Sequence, residues 1–156
     1  MSLNHQIARS HLESLVEGVG NQHKAMADAE DDYLFKFGDS SFFARVDGPL
    51  EPFIRVYSVV AKKVEPKIEL YELLNKVNSA LFCVRALMVQ NEVLIETDRP
   101  ALMVSPEDFE IMCGFVAVAS DQFGPSLLRV SGGSPFFEFE ASPNSRGRVN
   151  PYRDYI

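Results

Sequence analysis

The stretch FIRVYSVVAKKVEPKIELYELLNKVN, residues 53 to 78, changes period in its middle. Phe53 to Val64 is rich in β-branched residues and reads as a long strand. Pro66 then opens a helix over about Lys67 to Leu81, since proline suits the first helical position. Ile68, Tyr71, Leu74, Val77 and Leu81 recur on one predicted face, with Glu69, Glu72 and Lys76 turned away from it. A β-rich run handing over to an amphipathic helix points to a mixed fold in which helices pack on a sheet.

Working outward, the same two periods assign the rest of the chain. Residues 4 to 27 are helix-like through Ile7, Leu12, Leu15, Val16 and Val19, with Gly18 and Gly20 weakening the middle. The acidic stretch Asp28 to Asp32 reads as a solvated connector. Tyr33 to Phe37 and Phe42 to Val46 then alternate as strands, separated by Gly38-Asp39-Ser40 and closed by Asp47-Gly48-Pro49. With Phe53 to Val64 they form an antiparallel meander. After the central helix, Phe82 to Val89 and Val93 to Thr97 make a hairpin around Gln90-Asn91-Glu92. Ser105-Pro106-Glu107-Asp108 carries the signature of a capping box. The helix it starts runs to about Phe123, before Gly124-Pro125, and is apolar nearly all round, so it is expected to be buried nearly all round. The fold class that results is α+β: an antiparallel sheet of about five strands packed with helices, in the order α-β-β-β-α-β-β-α. The domain spans residues 4–131. Residues 132–156 are a Pro-, Ser- and Gly-rich tail, extended or partly disordered, whose Phe136, Phe137 and Phe139 favour docking. Ser131-Gly132-Gly133-Ser134 reads as a flexible joint.

Composition narrows function by exclusion. The 156 residues are 46% hydrophobic and 24% charged, an ordinary globular balance. A net charge of -7 repels phosphate backbones, so no nucleic acid is expected as a partner. No apolar run approaches the roughly 20 residues of a bilayer span, so no membrane insertion is expected either. No export signal is visible, and Cys83 and Cys113 read as buried, reduced thiols of a cytoplasmic protein. His5, His11 and His23 lack the i, i+4 spacing of a helical zinc site and read as solvated. No nucleophile elbow, phosphate loop, dinucleotide fingerprint, calcium loop or CxxC occurs, so no catalytic residue, metal site or cofactor is assigned and an enzyme is not expected.

One arrangement does read as a binding surface. Side chains alternate across a strand. Phe43 and Arg45, then Phe53, Arg55, Tyr57 and Val59, then Cys83, Arg85 and Leu87, then Leu94 and Glu96, therefore share a mixed face, while Ile54, Val56, Val60, Val84, Met88, Val93 and Ile95 form a purer one. The purer face is expected against the helices. Phe43, Arg45, Arg55, Tyr57, Arg85 and Leu87 are then the candidate peptide-binding residues, since aromatics and arginine are what interfaces favour. An ordinary outer sheet face, with Arg85 paired to Glu96, is the alternative. On the third helix, Ile111, Phe115 and Val118 are the candidate dimer interface.

The element order, with Leu70-Tyr71-Glu72-Leu73-Leu74-Asn75-Lys76-Val77-Asn78 in the central helix, resembles the YbjN family, within the superfamily of type III secretion chaperones. The resemblance rests on the leucine-rich stretch with Asn75 and Asn78 three apart, on the mid-strand Arg85, on Glu92 to Glu96, and on the capped third helix. It covers roughly residues 4 to 130. It implies an α+β sandwich, often a homodimer, that binds segments of other proteins without ATP. Some relatives are known as regulators, so a small-ligand sensor is the alternative, and the polypeptide client is not identified by anything in the sequence.

Overall fold

A computed structural model of the chain describes residues 2 to 20 and 24 to 136. The element order is helix α1 (Leu3–Gly20), strands β1 (Tyr33–Phe37), β2 (Ser40–Asp47) and β3 (Phe53–Lys62), helix α2 (Ile68–Ala80), strands β4 (Arg85–Val89) and β5 (Glu92–Pro100), a short 3-10 turn (Ala101–Met103), and helix α3 (Pro106–Ser131). The five strands form one antiparallel sheet in the order β1-β2-β3-β5-β4. This is the α+β class and the order that the alternating periods predict. His23, Phe137 and Phe139 lie outside the described residues.

Two compact units divide these elements. The first comprises the chain up to Ser58 together with Glu96–Ala117. Its core is built by alternation. Tyr33, Phe35, Phe42, Ala44, Ile54 and Val56 point to one face of β1, β2 and β3 and are buried. Ala8, Leu12, Leu15 and Val16 of α1 and Phe109, Met112, Cys113 and Val116 of α3 are buried with them. The rings of Phe35 and Phe109 lie 5.5 Å apart and those of Phe35 and Phe42 6.0 Å apart. Cys113 sits in this apolar setting, and burial pushes its thiol far above the ordinary range. The capping box forms as the sequence requires. The Asp108 amide donates to Ser105 Oγ, and the Ser105 amide and hydroxyl donate to Asp108 Oδ2 at 3.0 and 2.7 Å, which holds that carboxyl below its usual range.

The second unit comprises Val59–Ile95 and the chain from Val118. Leu70, Leu74, Val77 and Leu81 are the buried stripe of α2 and its end. Ile68 and Tyr71, which the period places on that stripe, are instead 71% and 50% exposed. The buried line runs through Leu70 because residues 70, 74, 77 and 81 keep the i, i+4, i+7, i+11 spacing without drifting round the helix.

Several expectations are corrected. α3 does not stop before Gly124-Pro125 but continues to Ser131 with Pro125 inside it. Pro125 is exposed, so the bond it cannot donate to the Asp121 carbonyl is lost where water can replace it. At that length the helix is long and apolar enough to cross a membrane. Its Phe109, Met112, Cys113, Val116, Ala119 and Leu127 are buried in the protein, as in a core helix. The strand after α2 begins at Arg85 rather than Phe82, because Cys83 has φ +60, outside the extended region. Cys83 is consequently exposed, not buried. Val59 and Ala61, on the mixed face by alternation, are buried, so that face is covered at the end of β3. The acidic connector is an ordered turn: Asp28 Oδ1 accepts from the amides of Glu30 and Asp32 at 2.8 and 3.0 Å, and Asp32 is only 4% exposed. His5 and His11 are not merely solvated. Their Nε2 atoms each lie 2.7 Å from a backbone carbonyl, Gly48 and Val104 respectively, tying α1 to two loops.

Candidate functional site

The outer face of the first unit carries two parallel rows of side chains set by strand register. Leu34 is opposite Phe43, and Phe43 is opposite Tyr57. The Phe43 and Tyr57 rings stack, with centroids 5.3 Å apart and planes 18° from parallel. Leu34 ends this apolar row and is 51% exposed. The neighbouring row is ionic. Arg45 is directly opposite Arg55, an arrangement that repels unless each charge is answered.

Each is answered by its own acids. Arg45 Nη2 donates to the Glu30 carbonyl at 2.8 Å, and its Nε lies 3.4 Å from Asp32 Oδ1. Arg55 lies 3.1 Å from Asp47, 3.7 Å from Glu96 and 3.8 Å from Asp98. The two arginines therefore serve the fold: their charges are spent within the chain. Sequence reasoning missed Asp32, Asp47 and Asp98 as their partners. The only signal available was that isolated cations on a half-buried strand need counter-charges.

Asp32 is held between opposing effects. Burial pushes its carboxyl up, while a hydrogen bond from the Tyr57 hydroxyl and the nearby Arg45 charge pull it down, and burial wins. Burial and the Asp32 carboxylate in turn hold the Tyr57 hydroxyl well above the phenol range. An acid whose folded-state pKa is raised adds stability below its unfolded value, about 3.9. That stability is lost as pH rises through the folded value. At neutral pH the ionised group is thus a net cost. Asp32→Asn is expected to be at least as stable as the native protein at neutral pH, and the gap should close as pH falls below about 4. Urea midpoints across that range check this, and a variant markedly weaker at neutral pH would overturn the sign.

In the second unit, Arg85 is exposed and Leu87 half-buried on the edge strand β4. Asn78 grips that strand from α2. Its Nδ2 donates to the Ala86 carbonyl at 2.8 Å and its Oδ1 accepts from the Ala86 amide at 2.7 Å. The side chain thus supplies the two bonds a neighbouring strand would make, which blunts the edge at that residue. Asn75 is exposed. Ile111, Phe115 and Val118 of α3 are half-buried.

Two depressions bear on the small-ligand alternative. One, of about 50 Å³, is lined by His5, Arg9, Asp31, Tyr33 and Val46 and is far smaller than an ordinary ligand pocket. The other, about 410 Å³, is an open dish lined by Asp47, Gly48, Pro49, Phe53, Arg55 and Asp98, whose charges already pair with one another. Neither supports a sensor. No cluster of metal-ligating side chains occurs among the described residues.

The profile of the family described as T3SS (YopN, CesT) and YbjN peptide-binding chaperone 1 matches residues 6–139. A chain in the crystal structure of the ExsC–ExsE complex superposes with a TM-score of 0.57 at 15% identity, over 82% of this chain and 98% of that one, a likeness of fold. No curated protein matches in sequence.

Proposed function

Because this chain belongs to the T3SS (YopN, CesT) and YbjN peptide-binding chaperone 1 family, we propose that it is a non-catalytic chaperone or adaptor that holds an extended segment of another polypeptide in the cytoplasm, without a cofactor. The binding domain is residues 4–131. The observation that carries the reading is the apolar row Leu34–Phe43–Tyr57, exposed at Leu34 and half-buried at the two rings, in strand register and flanked by arginines already paired within the chain. An extended client that crosses this row gains apolar contact and ring stacking without having to strip the arginines of their partners. Arg85 and Leu87 on β4 offer a separate contact, through an exposed guanidinium and a half-buried apolar side chain on an edge strand. The solved ExsC–ExsE complex, a structure of two named proteins together, supports the polypeptide nature of the partner.

The proposal includes a homodimer. Ile68 and Tyr71 lie one turn apart on α2 and, with Phe82 at 64% exposure, leave more apolar surface in water than Ile111, Phe115 and Val118 do. We therefore place the subunit contact on α2. Pull-down from host lysate tests the client reading, with native chain and Leu34→Glu compared side by side. Leu34 is exposed, so the variant should fold, and loss of a contact residue of this kind reduces binding about tenfold. One reproducible polypeptide captured by the native chain and lost from the variant is expected. Equal capture by both would remove the apolar row as the site. Light scattering on the same samples should give the mass of two chains, and a monomer mass would remove the dimer.

A further inference from the structure

We infer that the backbone of Lys62 is a strand-addition site selective for an extended segment with a glycine three residues before an aromatic ring, and that the chain's own Gly133–Phe136 fills it in place of a client. This deepens the client-binding reading and rests on it.

The segment is built to arrive there, and is not the flexible joint its composition suggests. Ser131, the last residue of α3, donates its hydroxyl to the Leu128 carbonyl at 2.7 Å and accepts the Gly133 amide at 3.1 Å. Gly132 at φ +66 turns the chain, a conformation glycine adopts without strain. Ser134 then pairs with Lys62 in both directions. The Lys62 amide donates to the Ser134 carbonyl at 2.8 Å, and the Ser134 amide donates to the Lys62 carbonyl at 2.9 Å. Gly133 comes so close that a Cβ there would stand 2.5 Å from the Lys62 carbonyl oxygen and 2.8 Å from Val64 Cγ2. Only a residue without a side chain fits. Three positions after Gly133, the Lys62 ammonium lies 5.4 Å from the centre of the Phe136 ring.

Backbone pairing accepts any sequence, so selectivity comes from the two side-chain conditions: nothing at the first position and a ring at the fourth. Among the described residues the hold includes one reciprocal pair of backbone bonds and a cation–π contact, each a modest interaction. A segment that meets the same two conditions and adds contacts of its own can therefore displace it.

The test uses the full chain and a labelled synthetic peptide of residues 131–140, SGGSPFFEFE, followed by fluorescence anisotropy. In Gly133→Val the internal segment cannot pair, so the site opens. This variant is expected to bind the peptide about tenfold more tightly than the native chain, which the tethered copy protects by mass action. Ser134→Pro, which removes the amide that donates to Lys62, should do the same by a different route and stands in if Gly133→Val fails to fold. A peptide carrying valine in the third position should bind neither. Equal affinity for native and variant chains, or no binding to either variant, overturns the inference. The two readings fail separately. Client capture that depends on Leu34, with no gain of peptide binding on Gly133→Val, sinks only this site. Peptide binding with no client captured sinks the client reading.

Discussion

Arg55→Glu is expected to cost about 3–5 kcal/mol of stability, the range for breaking a partly buried ion pair. The native guanidinium lies within 4 Å of carboxylates on Asp47, Glu96 and Asp98, with the Glu96 side chain 3% exposed. The substitution takes away a cation those three acids share and adds a fourth carboxylate beside them. Four like charges on a half-buried sheet face repel each other, and water reaches Glu96 too poorly to screen them. Arg55→Met separates the two parts of the effect: it removes the cation and adds no anion, so it should lose less. Urea midpoints at constant slope measure both. A change below about 0.5 kcal/mol for Arg55→Glu would mean the cluster is an exposed, screened one of little consequence. From sequence alone the same arginine is a candidate peptide-binding residue on the mixed sheet face; in the structure three carboxylates of its own chain lie within 4 Å of it.

That difference marks the boundary of what the sequence carries. Element order was legible because each element announces itself locally: the period changes at Pro66, the acidic turn ends α1's segment, and Ser105 and Asp108 cap α3. The buried faces of β1, β2 and the start of β3 followed from alternation. What failed depended on long-range partners. Arg55 meets Glu96 forty-one positions away, and nothing near Arg55 distinguishes a residue spent inside the fold from one offered to a partner. Gly133 reads as a joint because glycine has two uses, freedom and close approach, and only the Lys62 carbonyl 2.5 Å from its missing Cβ says which applies. Gly124-Pro125 punctuates most helices, but here the lost bond falls on an exposed turn, so the break does not occur. Of the candidate site, Phe43 and Tyr57 were legible as a strand-face pair. Leu34 was not, because nothing within β1 itself fixes the register that sets Leu34 opposite Phe43.

Phe109→Ala is the second large effect, about 3–5 kcal/mol, the usual range for deleting a buried ring. Phe109 is fully buried and its ring sits 5.5 Å from Phe35, which in turn sits 6.0 Å from Phe42. Removing this end member of the chain of rings leaves a cavity that Phe35 cannot fill without leaving its own place against Phe42. Phe109→Leu keeps most of the volume and should lose much less. The value of the substitution lies in what it leaves alone. Tyr33, Phe35 and Phe42 face the core, while Leu34 and Phe43 point to the opposite side of the same strands. Under conditions where Phe109→Ala is still folded, it should capture the client as well as the native chain does, although its urea midpoint falls. Leu34→Glu should do the reverse, keeping its midpoint and losing the client. A core variant that loses the client in proportion to its stability would mean that binding reads the packing of the whole sheet, and the outer row would then have no separate claim to be the site.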